Sequence, residues 1–476
     1  MSRRCVVVLD VGKTNAKLTL WDAAGRLLDR ADRANRSALG PGYRALDAEG
    51  IEAWLAETLS RFAAAAEVGA IVPVAHGAAC ALVADDRLLL PPLDYEDDGD
   101  AGDRSIYDGA RDAFSATGSP ALPQGLNLGW QLHRLERAYG PWPAAARILT
   151  WPQYWAWRLS GVMACEVSSL GCHTDLWRPV AGRPSALAFD RGWAARLAPL
   201  RRAEEQLGVI TPDWARRTGL PADCAVLCGL HDSNAALLAA RGHAEIAGTD
   251  ATVLSTGTWF VAMRAPAQGQ PVGLADLAPD RDGLVNVDVT GGLVPSARFM
   301  GGREIELLGG LDAANDADLE GRVAGLLRSG VRLLPGFVPG VGPYPHSQGR
   351  WENEPSDRRD RRAAVGVYIA LMADAILDLV GSRQRLVIEG RFAESAVFTR
   401  VLAALRPGQT VHTCQGQDDV AYGALRLLDP GLPPPAPLTR ITPLNLDLGD
   451  LDLSAFAQAW RRDAEATIST VRVSPA

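Results

Sequence analysis

Two short polar turns, each set between strand-like runs and separated by about half the chain, limit the fold of this sequence more than any other feature. In the first, the apolar run Cys5-Val-Val-Val-Leu9 meets Asp10-Val11-Gly12-Lys13-Thr14-Asn15, and an alternating strand resumes from Lys17 to Trp21. A further turn, Asp22 to Gly25, leads into Arg26-Leu27-Leu28, so the chain opens as a three-stranded meander. In the second, the strand Thr252 to Ser255 enters Ser255-Thr256-Gly257-Thr258-Trp259. Gly12-Lys13-Thr14 is not a Walker-type loop: that motif needs a glycine where Val7 stands, and a helix where Ala16 to Trp21 alternates as a strand. What remains is a hairpin whose backbone N–H groups, hydroxyl and amide side chains and two ammoniums suit a phosphate chain.

The lysines sharpen this reading. Of the 48 basic residues only two, Lys13 and Lys17, are lysine, and both fall in the first hairpin. A compact ammonium on a flexible stem fits a tight loop that the planar fork of arginine does not.

At 476 residues with 47% apolar side chains, the chain can bury more than one core. No apolar run approaches the roughly 20 residues that span a bilayer, and no signal peptide is evident, so a cytoplasmic protein is expected. The net charge of -8 and the lack of a basic stripe argue against a nucleic-acid partner. Seven scattered cysteines without a CxxC pair read as reduced core residues, not as a disulfide frame or a zinc site.

Alternating element types predict a mixed α/β protein. Helical spacing is expected over 51–66, then strands near 70–75 and 81–84, and a helical region over 126–159 broken by Pro141, Pro143 and Pro152. A strand near Val226 runs into Gly229-Leu-His231-Asp232-Ser-Asn234, followed by a helix to Arg241. The second half carries helical patterns over 299–308, 363–381, 394–405 and 418–429, with a strand at 385–389. The Pro- and Gly-rich segment 333–346 is expected to be a loop or lid. Domains are expected at 1–245 and 246–435, with an extension at 436–476 that includes a helix.

The order Asp10-x-Gly12-x-Thr14-Asn15, Gly229-x-His231-Asp232-Ser-Asn234-Ala, Ser255-Thr-Gly-Thr-Trp259 resembles the FGGY family of carbohydrate kinases from about residue 5 to 430. The stretch from Gly140 to Arg158-Leu-Ser-Gly161, Thr218-Gly-Leu-Pro221 and Ala421-Tyr422-Gly423-Ala424 resembles further segments of that family. Among its members, the His-Asp pair and the Ser-x-Gly-Thr-Trp turn are most similar to the rhamnulokinases and fuculokinases, while His76-Gly77 is similar to the xylulokinases. The resemblance implies two ribonuclease-H-like domains of the actin and hexokinase superfamily with a nucleotide cleft between them.

It implies ATP and Mg2+ as cofactors and a small ketose or polyol as the acceptor, with a ketopentose or a 6-deoxyketohexose favoured. Asp232 would take the proton of the attacking hydroxyl, the lesser alternative for the bare sequence position being a helix N-cap. Asp10 would orient Mg2+ through water. Gly12, Lys13, Thr14, Asn15, Lys17, Thr256, Gly257 and Thr258 would hold the phosphates. Gly390 and Arg391 would border the adenosine, in a stretch Glu389-Gly390-Arg391 that keeps one glycine of the family's usual set, with Glu389 and Arg391 narrowing the slot or pairing across it. His76, Gly77, Asp94, Tyr95, Glu96 and His231 would meet the sugar, in a loop (91–98) more acidic than the family's. No membrane partner is expected, and a homodimer is left open. Two alternatives stay open: an ATPase acting on water, and an inactive nucleotide-binding regulator on the same fold.

Overall fold

The computed structural model describes residues 4–471 except 98, 100, 101, 268, 269, 271, 275, 276, 312–317, 415–418, 435 and 447–451. The chain divides into two compact units. The first comprises 1–243, 285–293 and 418–435, and the second 244–284, 294–417 and 436–476. This differs from the domains expected on sequence in three places, the first being the 285–293 segment, which joins the first unit. The 418–435 segment returns to the first unit because Ala421, Tyr422, Ala424 and Leu425 bury themselves against Ala235 and Ala239. From the 436–476 extension, Phe456, Ala457, Trp460 and Ala464 enter the core of the second unit, where Trp460 is fully buried.

In the first unit, β1 (Cys5–Val11) pairs antiparallel with β2 (Asn15–Trp21), which pairs with β3 (Leu27–Ala34). On its other side β1 pairs in parallel with β4 (Val68–Ala75). Beyond β4 come β5 (Gln206–Val209), β6 (Ala225–Leu227) and the two-residue β7 (Leu230–His231), of which β6 and β7 run parallel to β4. Val7, Val8 and Leu9 are all fully buried because both faces of the sheet are covered. On one face lie α1 (Ala48–Ala65) and α2 (Trp151–Ser160), packing Ile51, Leu55, Phe62, Trp151 and Trp155 onto Val7, Leu9 and Val11. On the other lie α3 (Asp232–Ala240) and the helix Asp419–Leu425. A Cβ at Gly423 would stand 1.7 Å from the Ala235 carbonyl oxygen, so only glycine lets these two helices approach so closely.

The helical region expected over 126–159 is in fact a helix (128–139), a strand (147–150) and α2. Pro152 does not break a helix there. It occupies the first turn of α2, where its missing N–H costs nothing.

The second unit repeats the opening construction. Strand β8 (Ala251–Thr256) forms a hairpin with β9 (Phe260–Ala265), which lies beside β10 (Leu293–Phe299). β8 also pairs in parallel with β11 (Arg385–Gly390), as β1 does with β4. Helix α4 (Gly301–Leu307), the 22-residue α5 (Arg358–Leu379) and the helix Leu453–Val471 share one large apolar core. Of the segment 333–346, expected to be a loop or lid, 335–346 is irregular loop, but it is held down: Leu333 and Leu334 lie in a buried strand, Tyr344 is buried edge-on against Trp460, and the Trp460 indole N–H donates to the Leu333 carbonyl at 2.6 Å.

Candidate active site

In the first unit, three parallel strands deliver the candidate residues to one sheet end. Register sets Val11 and His231 both opposite Ala75, so Asp10 near the end of β1, His76 just after β4 and His231-Asp232 at the end of β7 emerge together. Ligands of open α/β sheets gather at such carboxyl ends.

Asp232 is the first residue of α3, and the N-cap is His231, so the carboxylate does not serve as the cap that its position on the chain allowed. Its Oδ1 lies 3.1 Å from His231 Nε2 and accepts the Ser233 N–H at 2.6 Å. Its side chain is 27% exposed, against 6% for His231. Burial would raise the carboxyl pKa, but the charge and hydrogen bond of His231, with help from His76 and the Ser233 amide, leave it below the usual carboxylate range. His231 is shifted the other way: burial opposes its charge, yet Cys172 and Asp232 hold the imidazolium well above its ordinary value. The ring is fixed further by Asn234 Nδ2, 3.2 Å from Nδ1, and the His231 backbone N–H donates to Ser168 Oγ. Cys172 Sγ stands 3.5 Å from His231 Nε2. Gly77 is needed beside them, since a Cβ there would lie 2.5 Å from Cys172 Sγ.

The first hairpin is arranged differently from the sequence expectation. Lys13 Nζ donates to Asp94 Oδ2 at 2.5 Å, sits 3.4 Å from Glu96 Oε2 and lies 5.4 Å above the Tyr95 ring. The expected phosphate lysine therefore tethers the expected sugar loop. Asp94 is fully buried, and its oxygens already accept from Lys13, Ser37 and the Glu96 amide, so it does not present a free acceptor to a sugar. Burial alone would raise the Asp94 pKa, and those three donors bring it below the usual range. Lys17 is in register with Asp10 on one side and Asp32 on the other. Thr14 and Asn15 are exposed at the turn, which Asn35 clamps by donating from its amide to the Gly12 carbonyl at 2.8 Å and from its backbone to Thr14 at 2.7 Å.

Between the hairpin and β4 lies a cavity of about 160 Å³ lined by Gly12, Lys13, Thr14, His76 and Glu96, together with Arg36, Asp47 and Trp151, which sequence reading missed. His76 is 9% exposed and neither ring nitrogen has a hydrogen-bond partner among the described residues. Burial, aided by Lys13 and His231 against the pull of Asp232 and Asp94, lowers its pKa to about 4, so the ring is neutral. A buried imidazole with two unsatisfied nitrogens is costly unless a ligand supplies partners.

In the second unit, the β8–β9 turn exposes Thr258 and leaves open space above Gly257, where a Cβ would meet only the Trp259 carbonyl at 3.8 Å. The Thr256 hydroxyl is not free to bind phosphate: it is 2% exposed, donates to the Glu389 carbonyl at 2.5 Å and accepts the Phe392 N–H at 3.1 Å. Gly390 is required by its φ of +85° and by the Thr256 carbonyl 2.4 Å from where a Cβ would stand. Glu389 and Arg391 do not pair across a slot. The Glu389 carboxyl is buried, its pKa raised by burial and moderated by the Ser255 hydroxyl that donates to it, while Arg391 is exposed with its guanidinium 5.3 Å from the Phe392 ring. Helix α4 supports the turn from below, with the Gly302 N–H donating to the Thr258 carbonyl at 3.2 Å.

Among the described residues no cluster of three or more His, Cys, Asp or Glu could cage a metal. No helix among them is long and apolar enough to cross a membrane.

In the first unit a parallel-sheet end bears a carboxylate–imidazole pair, and each unit opens with a hairpin whose first strand also pairs in parallel with a later strand. Comparison with known proteins is specific. Residues 248–435 match the carbohydrate kinase FGGY C-terminal domain. The structure superposes with a TM-score of 0.91 on a carbohydrate kinase from Novosphingobium aromaticivorans, 50% identical over 98% of this chain and 99% of that one. A xylulose kinase from Rhodospirillum rubrum shares the fold at 21% identity, with a TM-score of 0.75 over 98% and 99% of the two chains. An L-fuculokinase from Salmonella typhi is 26% identical over 280 residues, a match spanning 55% of this chain and 57% of the fuculokinase. The chain belongs to the FGGY family of carbohydrate kinases, a family of sugar phosphotransferases.

Proposed function

We propose that this protein transfers the terminal phosphoryl group of ATP to a hydroxyl of a small ketose or polyol, a ketopentose or 6-deoxyketohexose being favoured. The carrying observation is His76, a neutral, buried imidazole whose two nitrogens have no partner among the described residues, in a cavity of about 160 Å³ and one β-strand away from the His231–Asp232 pair. Hydroxyl groups, which both donate and accept, satisfy such a ring in a way that a phosphate or an apolar group does not. Glu96, half-exposed beside Lys13, adds an acceptor.

In this reading Asp232, kept ionised by His231, accepts the proton of the sugar hydroxyl as that oxygen forms its bond to the terminal phosphorus and the bond to ADP breaks. Thr14, Asn15, Gly257 and Thr258 hold the phosphates, with Lys17 supplying charge, and Arg391 borders the nucleoside. Mg2+ would neutralise phosphate charge when bound. Asp10, near the end of β1, is the residue that would orient it through water.

The test is ADP release measured with a panel of ketopentoses, 6-deoxyketohexoses and polyols, each beside a sugar-free control. Acceptor-dependent release supports the proposal. Equal release without acceptor means an ATPase, and no release under any condition, with ATP still bound, means an inactive nucleotide-binding regulator.

A further inference from the structure

Helix α3 carries Asp232 at one end, and its other end opens on a second cavity. This cavity, about 510 Å³, shares no lining residue with the cavity at His76 and falls in the size range of small-molecule sites. Arg241, just past the nine-residue helix, stands about 13 Å along the helix axis from Asp232.

The walls are of two kinds. Leu238, Val289 and Leu427 are partly buried apolar side chains that pack on the core and turn their remaining surface to the cavity. Around them stand three guanidiniums, from Arg202, Arg241 and Arg426, against one carboxylate, Glu204. Arg202 is already paired with Glu204. Arg426 donates to the carbonyl of Leu432 at 2.6 Å and hydrogen-bonds the Tyr422 hydroxyl, and it lies over Gly242, where a Cβ would come within 2.9 Å of its Nη1. The Arg241 side chain has no hydrogen bond or ion pair among the described residues.

Two cations without a carboxylate partner among the described residues thus line the cavity beside an apolar floor. The carbonyl-rich end of α3 would by itself repel an anion, so these guanidiniums make the site one for negative charge rather than for a neutral ligand. Their forked donors match the geometry of a phosphate or carboxylate. We propose that this cavity is a second ligand site, separate from the catalytic one, for a small phosphomonoester: the dianion between Arg241 and Arg426, the apolar body on Leu238, Val289 and Leu427.

Phenyl phosphate is the probe, titrated calorimetrically into the full chain with ATP and Mg2+ present at saturation so that the phosphate turns are occupied. Phenyl phosphate should bind the wild type, and phenol and inorganic phosphate should each bind at least tenfold more weakly. Arg241→Gln, which removes no contact that holds the fold, should weaken phenyl phosphate at least tenfold with an unchanged melting temperature, and Arg426→Gln should act in the same direction. Absence of binding to the wild type, equal affinity in Arg241→Gln, or phenol binding as tightly as phenyl phosphate would each overturn the proposal.

Discussion

His231 Nε2 lies 3.1 Å from Asp232 Oδ1, and the two side chains shift each other's proton affinity in opposite directions: the carboxyl is held low and the imidazole high. The partially exposed carboxylate is thereby biased toward its charged form, which is the state a proton acceptor needs. Asp232→Asn keeps the size of the side chain but cannot take the proton. Sugar-dependent ADP release should fall by on the order of 10² to 10⁴, while ATP still raises the melting temperature. Since Asp232 follows the N-cap rather than forming it, a purely structural role would leave turnover near normal, and that result would remove the residue from the mechanism.

His76 should govern the sugar and not the nucleotide. His76→Ala is expected to raise KM for the best acceptor at least tenfold and to change KM for ATP less than twofold, read from initial rates. Because burial lowers the ring's pKa to about 4, it stays neutral above that pH, and the sugar KM should be flat between pH 5 and 8. A break near the ordinary histidine value of about 6.5 would instead mean an exposed, freely titrating ring.

Much of this site could be read from the chain, and what could not has a physical reason. Local sequence carried the two hairpins, because turn chemistry between apolar runs is a short-range signal, and it carried His231-Asp232 at a strand end. The partnership of Lys13 with Asp94 and Glu96 joins residues 81 and 83 positions apart, and no local pattern encodes it. Cys172 meets His231 across 59 positions for the same reason. Thr256 looked like a phosphate ligand because its type and turn were right. Parallel pairing with β11 then gave its hydroxyl two backbone partners, and that pairing depends on a strand more than a hundred residues away. The return of 418–435 to the first unit rests on Gly423, whose role becomes visible only when the Ala235 carbonyl is seen above it.

The Lys13–Asp94 contact should be a stability element as well as a tether. Removing one partner of a buried pair leaves an uncompensated charge and costs roughly 3–5 kcal/mol, here reduced by the Ser37 and Glu96 donors that remain on Asp94. Lys13→Met is expected to destabilise the protein by about 2 kcal/mol in urea titrations, and adding Asp94→Asn should recover at least half of that. If the single variant is as stable as wild type, the lysine contributes no net stability, and its role would be confined to ligand binding.

The last expectation concerns pH and the second unit. Glu304 in α4 is 3% exposed, and its pKa rises to about 7: burial raises it, and the Tyr368 hydroxyl, donating at 2.7 Å, recovers only part of that shift. The native state therefore holds a proton that the unfolded chain, with a glutamate pKa of about 4.5, releases. Stability from this group is present at low pH and is lost as pH rises through about 7, a contribution of about 3 kcal/mol between the two limits. Glu304→Gln keeps the shape and the hydrogen bond from Tyr368 and abolishes the titration. The variant should match wild type at pH 5 and exceed it at pH 8 by on the order of 5 °C in melting temperature, measured calorimetrically across that range. Because α4 supports the Gly257–Thr258 turn through Gly302, the same variant should also hold ATP affinity more nearly constant toward alkaline pH. A melting temperature whose slope against pH is the same in both proteins would mean that Glu304 is already ionised in the folded state, and its burial would then have to be balanced by something other than a bound proton.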